Sequence, residues 1–214
     1  MNIILTSVED ALADAWERFC GDLPFVFVHR GSIFDLSCDA VVSPANSYGF
    51  MDGGIDMLYS EVFGWGVQER LQAIIREKYH GELLVGTAEI VETNSPGLLF
   101  LIAAPTMRVP MILQHSVNPY LAARAVLLLV KHGTFTHGPN IGIPVADFVD
   151  SIAFPGLGTG VGRIGPNTCA RQVRAAINAV LLDQEPFPVS WVEAQQRHRN
   201  LYLGMEAGRN SERE

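Results

Sequence analysis

The sequence predicts one α/β domain, a sheet with helices on both faces, on three observations. Short β-branched or aromatic runs alternate with segments whose apolar residues recur at helical spacing. Of 214 residues, 48% are hydrophobic, enough for one chain to bury a substantial core. A strand-like run also passes directly into a dense glycine loop and then into a helix.

Asn2 to Leu5 reads as the first strand, and Ser7 with Asp10 three positions later resembles a capping box opening a helix. Leu12, Trp16 and Phe19 repeat at helical spacing, and Gly21 ends the run. Phe25 to His29 and Asp39 to Ser43 read as buried strands, separated by a turn-rich connection. Val67, Leu71, Ile74 and Ile75 mark one face of a helix closed by Gly81. Strands follow around Ala88 to Glu92 and Leu99 to Ala104. Asn118 then Pro119 reads as a cap and a first-turn proline, which predicts a buried helix from Tyr120 to His132. Gly133 to Pro144 has no periodicity and reads as a surface insertion. Ser151 to Phe154 is a short strand, and Val173, Ile177, Val180 and Leu181 share one face of the helix beyond the glycines. The expected division is a domain over residues 1–185 and a polar C-terminal extension over 186–214, with a last helix from Trp191 to Met205.

The net charge of −8 and pI near 5.2 argue against general nucleic-acid or anionic-membrane binding, which need Lys and Arg against phosphates. Cys20, Cys38 and Cys169 are widely spaced and odd in number, so they are expected as reduced core thiols rather than a disulfide or zinc framework. No export signal is read at the N-terminus. The longest aliphatic stretch, Ala122 to Val130, falls well short of the roughly 20 residues of a membrane span. A cytoplasmic protein with no cofactor and no metal is the expectation.

Phe154-Pro155-Gly156-Leu157-Gly158-Thr159-Gly160-Val161-Gly162-Arg163-Ile164-Gly165 packs five glycines into ten positions. Glycines let successive N–H groups converge on an anion, and the following helix start adds a favourable dipole. No Gly-Lys-Ser/Thr follows, so this is not a P-loop. A tight turn would need only a glycine or two. The run therefore predicts a phosphate-binding loop for a nucleotide ligand.

A second loop, Ser43 to Asp56, also leaves a strand end, where ligands gather in open α/β sheets. Gly53 and Gly54 allow close backbone approach, Asn46 offers donor and acceptor groups to sugar hydroxyls, and Asp56 can activate a water. Taken singly, Asn46 is as well a turn residue, Asp56 a helix N-terminal charge, and Tyr48 and Phe50 core aromatics. Arg108, just past a strand end, reaches either a phosphate or solvent. His29 adjoins a strand and reads as a strand-end residue rather than a ligand, and His115, His132 and His137 lack metal-site spacing.

At this point the sequence resembles a macro domain, the ADP-ribose-binding family, over roughly Asn2 to Leu182. Gly31-Ser32-Ile33, then Asp39-Ala40-Val41-Val42-Ser43-Pro44-Ala45-Asn46, is similar to the family's Gly-Asp-Ile and Asp-Ala-Ile-Val-Asn-Ala-Ala-Asn at the same spacing. Met51-Asp52-Gly53-Gly54-Ile55-Asp56 resembles its Gly-Gly-Gly-Val-Asp, and Ser151 to Pro155 with the glycine run resembles its diphosphate strand and loop. The resemblance implies a three-layer α/β/α sandwich around a mixed sheet. It also implies ADP-ribose or a related nucleotide diphosphate-sugar as ligand, free or attached to a protein or nucleic acid. By position, Asn46 and Asp56 are the catalytic candidates. Ser32, Ile33, Ala45, Gly53, Gly54, Ile55, Pro155, Gly156, Gly158, Thr159, Gly160, Val161 and Gly162 are the ligand-binding ones.

Ser32 stands where the family has its adenine-reading Asp, which leaves Asp35 as a substitute acceptor or a different base as ligand. Ser43 replaces the first Asn, and Pro44 stiffens the loop. The only lysines, Lys78 and Lys131, fall in predicted helices outside both loops, which disfavours a lysine-imine mechanism. Three functions follow from the resemblance: a hydrolase removing ADP-ribose, which the Asn46 and Asp56 pair favours, a binding module without turnover, or a phage-associated scaffold on this fold.

Overall fold

The computed structural model describes residues 1–44 and 46–203. Six strands form one sheet in the order β2-β1-β6-β3-β5-β4. They are β1 (Asn2–Ser7), β2 (Val26–Arg30), β3 (Ala40–Ser43), β4 (Glu89–Glu92), β5 (Phe100–Ala103) and β6 (Ser151–Phe154). All pairings are parallel except that of β4 with β5, so the sheet is mixed. Between the strands run α1 (Asp10–Cys20), α2 (Gly54–Phe63), α3 (Gly66–Lys78) and α4 (Asn118–His132), and α5 (Pro166–Val180) and α6 (Trp191–Leu203) follow β6.

The period of two along each strand divides the core. Ile3, Leu5, Ala40, Val42, Phe100, Ile102, Ile152 and Phe154 pack against α1, α4 and α5. Val41, Val91, Leu101, Ala103 and Ala153 face α2 and α3. Both faces are covered, which explains why the strands read as unbroken apolar runs. The result is the three-layer sandwich that the resemblance implies.

Several local expectations need correction. β1 extends to Ser7, whose hydroxyl accepts from the Glu9 N–H, so Glu9 and not Ser7 caps α1 and no capping box forms there. The box forms instead at Ser32 and Asp35, around a short 3-10 turn over Ile33–Asp35. Asn118 is the first residue of α4 behind Val117, and its amide donates to the Thr106 carbonyl. The insertion Gly133 to Pro144 is pinned by Phe135, which is buried against Phe100 and Phe148. α2 begins inside the Ser43 to Asp56 loop and runs through residues 57–63, to which the sequence reading assigns no element. The expected last helix is present to Leu203, while Met205 lies outside the described residues. α6 packs on α5, where buried Gln172 donates to the carbonyls of Ser116 and Leu201.

Cys20, Cys38 and Cys169 are free and buried, and burial pushes their thiols up to about 12, 11 and 12. They are inert core groups, as expected. Lys78 and Lys131 lie in α3 and α4. The Glu89 side chain, 1% exposed, accepts from Lys78 Nζ at 2.7 Å and from Tyr79 Oη at 3.0 Å. Replacing Lys78 by Ala strips the cation from that carboxylate but leaves the tyrosine. Urea unfolding is therefore expected to show a loss of about 1–2 kcal/mol, below the full cost of orphaning a buried charge.

Candidate functional site

Parallel order brings the C-terminal ends of β2, β1, β6, β3 and β5 to one edge of the sheet, side by side. The loops leaving those ends enclose a cavity of about 500 Å³. Its walls include Ser32 and Ile33 after β2, Asn46, Gly53, Gly54, Ile55 and Asp56 after β3, and Pro155, Gly156, Gly158, Thr159, Gly160, Val161 and Gly162 after β6. The sequence points to both of these loops and to the 31–33 segment. Ala45 lies outside the described residues.

The glycine loop is tied down by its carbonyls. Gly158 O accepts from Ile164 N–H at 3.0 Å, Gly160 O from Arg163 N–H at 3.0 Å, and Gly162 O from Leu113 N–H at 2.8 Å. Leu157 and Ile164 are buried in the core on either side. The N–H groups of Gly158, Thr159, Gly160, Val161 and Gly162 donate to nothing among the described residues. A row of uncommitted donors on a fixed loop is an anion cradle.

The glycines divide by cause. A Cβ on Gly162 would sit 2.5 Å from Gly158 O, and one on Gly156 would sit 2.4 Å from Thr159 Oγ1. Gly158 has φ +68 and needs glycine for its backbone. Gly160 and Gly53 have neither reason: nothing lies within 4 Å of a Cβ at either, and φ is not left-handed. The space they leave opens on the cavity they line.

Across the cavity, Gly53 and Gly54 open α2, whose first N–H groups are likewise free. The loop before it is held by Asn46. Asn46 Oδ1 accepts from the N–H groups of Tyr48 at 3.1 Å and Phe50 at 3.3 Å, and Nδ2 donates to Phe50 O at 2.8 Å. Both acceptor positions of the amide are used, and one N–H remains free. Thr106 Oγ1 donates to Pro44 O at 2.9 Å, and Ser60 Oγ to Met51 O at 2.9 Å, so the loop is rigid on both flanks.

Asp56 stands in the first turn of α2 and is 7% exposed. The fully buried Ser43 hydroxyl donates to its Oδ1 at 2.6 Å. Burial pushes the carboxyl up to about 7, with the Ser43 bond opposing part of that rise. Asp56 therefore exchanges its proton near neutral pH, as a general base must.

Among the described residues the cavity walls carry no Lys or Arg, and their carboxylates are Glu9, Asp52 and Asp56. The uncommitted donors that the glycines offer to this cavity are backbone N–H groups. Arg108 takes no part in the lining: it pairs with Glu82 at 2.5 Å and stacks over Tyr48. Phe50 lines the cavity, but Tyr48 does not. Asp35 does not line it either, because its carboxylate accepts from Ser32 N–H. Sequence reasoning missed the end of β1 and the turn after it, Thr6 to Glu9, with Leu12 of α1, and the residues Thr106, Met107 and Pro110 after β5. The one available signal was that both loops leave strand ends. No group of three or more His, Cys, Asp or Glu suited to a metal occurs among the described residues, and no described helix is long and apolar enough to cross a membrane.

The sequence model of the macro domain matches residues 42–173, from β3 through the glycine loop into α5. The chain belongs to the macro-domain family. An uncharacterized protein of Aquifex aeolicus is 30% identical over 144 residues, which cover 67% of this chain and 75% of that protein. An uncharacterized protein of Aeropyrum pernix is 28% identical over 181 residues, covering 85% and 83%. Among solved structures, an Oceanobacillus iheyensis macrodomain variant with ADPR superposes at a TM-score of 0.56 and 21% identity, covering 81% of this chain and 87% of that one. The macrodomain of Mycobacterium tuberculosis DarG gives 0.55 at 17% identity, covering 70% and 87%. At these identities the structures establish the shared macrodomain architecture around the cavity.

Proposed function

We propose that this macro domain binds ADP-ribose or a closely related nucleotide diphosphate-sugar, and that it hydrolyses the bond joining ADP-ribose to an acceptor. The observation that carries the reading is the pair of backbone cradles facing one cavity, with a carboxyl of pKa about 7 at their junction. The diphosphate lies between the free N–H groups of Gly158 to Gly162 and those of Gly53 to Ile55. That the Oceanobacillus iheyensis macrodomain has been solved with ADPR and with ADP supports the ligand class.

The distal sugar then lies toward β3 and β5, where the one spare N–H of Asn46 donates to a hydroxyl. In the chemical step Asp56 takes a proton from water, the water oxygen bonds the sugar's anomeric carbon, and the carbon–acceptor bond breaks. The proton then passes to the departing acceptor. The buried setting of Asp56 also suits a second reading, a module that holds ADP-ribose without turnover, since Ser43 already occupies one carboxylate oxygen.

Two measurements separate these readings. Calorimetric titration is expected to give one ADP-ribose site per chain, and absence of any heat with ADP-ribose, ADP or a non-adenine nucleotide sugar would overturn the ligand class. Incubation with a mono-ADP-ribosylated protein is expected to release free ADP-ribose with a rate that rises through pH 7. Tight binding with no release from protein or nucleic-acid acceptors would leave the binding module as the function.

A further inference from the structure

We infer that Glu9, on the loop after β1, reads the exocyclic amino group of the nucleotide's base, the task for which the 31–33 segment carries no free carboxylate. This rests on the ligand class proposed above. The strand order is β2-β1-β6-β3, and the phosphate cradle spans the β6 and β3 loops. Neighbouring strands lie about 4.8 Å apart, so the loops after β1 and β2 begin one and two strand spacings from the phosphates. A nucleoside covers that span, and the base comes to rest among Val8, Leu12, Ile33 and Phe34, apolar walls suited to a planar ring.

The polar groups at this end are nearly all committed. Thr6 Oγ1 donates to Gly31 O at 3.0 Å, Ser7 Oγ donates to Glu9 O at 3.0 Å, and Ser32 Oγ accepts from Phe34 N–H at 3.2 Å. Asp35 is turned to the Ser32 N–H and lies outside the cavity wall. The Glu9 backbone serves α1, accepting from the N–H groups of Leu12 and Ala13, but its side chain makes no hydrogen bond or ion pair among the described residues. Once a diphosphate occupies the cradle, an uncommitted carboxylate about one strand spacing away repels it, and an amino donor on the ligand gives that carboxylate a favourable partner. The ends of β1 and β2 are joined directly, Gly31 N–H donating to Ser7 O at 3.0 Å, so the backbone that carries Glu9 is held beside the 31–33 segment.

The test compares ADP-ribose with its hypoxanthine analogue, in which a carbonyl oxygen replaces the amine, by calorimetry on the full chain. The wild type is expected to prefer ADP-ribose by about tenfold, the loss of one charge-assisted hydrogen bond. In Glu9→Gln the acceptor-only carboxylate becomes an amide that serves either base, so the preference is expected to fall within about twofold. Because the Glu9 side chain is exposed and unbonded, an unchanged Tm is expected to accompany the change. A wild type that binds both ligands equally, or a preference that survives in Glu9→Gln, overturns the assignment while leaving the nucleotide site standing. Failure of the wild type to bind either ligand overturns the nucleotide site and this inference with it.

Discussion

The Asp56→Asn variant is expected to lose ADP-ribose release and, at pH 8, to be more stable than the wild type. Asn keeps the shape of the side chain and an oxygen to accept the Ser43 hydroxyl, but it cannot take a proton from water. The stability gain follows from burial. The folded carboxyl ionises near pH 7 and the unfolded one near 3.8. Below pH 3.8 Asp56 is neutral in both states and contributes as Asn would. As pH rises from there, the unfolded chain ionises first, and the native state loses stability steadily until pH 7 is passed. Holding the proton over that interval costs the native state roughly 4 kcal/mol at pH 8, or about 10 °C in Tm for a domain of this size. Thermal melts of both proteins from pH 4 to 8 should therefore converge at the acid end and separate toward the basic end. Parallel curves would show that Asp56 does not titrate near neutrality, and persistent release in the variant would remove it from the chemistry.

A carboxyl that weakens the fold where the proposed reaction runs is the expected signature of a residue retained for function. Ser43 limits that cost. Ser43 is the last residue of β3, and its fully buried hydroxyl donates to the carboxylate. From sequence Ser43 was a departure from the family's Asn. The structure gives it the task of holding Asp56 against the sheet.

The strands were legible because both faces of the sheet are covered, so each is a short apolar run bounded by turns. α2 was not, and its composition explains why. Its buried residues are Asp56, Tyr59 and Ser60, while Met57, Leu58 and Val62 are exposed. The amphipathic pattern is inverted, and no periodicity argument recovers it. The glycine loops were legible because glycine density has few other causes. The β1 and β5 walls of the cavity were not, since Thr6 and Ser7 at the end of β1 and Glu9, Thr106 and Met107 beyond the strands are ordinary residues until the parallel order sets them beside the glycines. Asn46 was read for its chemistry, yet most of its hydrogen-bonding capacity is spent on its own loop, within four residues in sequence.

Gly160→Glu is expected to abolish ADP-ribose binding without disturbing the fold, raising Kd by at least about 100-fold. Nothing lies within 4 Å of a Cβ there, and the residue is exposed on the cavity wall with an uncommitted N–H. A carboxylate at that point meets the diphosphate directly, and each close like-charge pair costs on the order of 4 kcal/mol near a protein surface. Among the described residues no basic side chain lines the cavity to offset it. Gly162→Ala makes the contrast. Its single methyl would sit 2.5 Å from the Gly158 carbonyl and 2.9 Å from Leu113 Cδ1, so the loop itself must shift and Tm is expected to fall. Loss of binding with an unchanged melt in Gly160→Glu, against a lowered melt in Gly162→Ala, separates the glycine kept for the ligand from the glycine kept for packing. Full-strength binding by Gly160→Glu would place the phosphates elsewhere, and the cradle would then be a turn and nothing more.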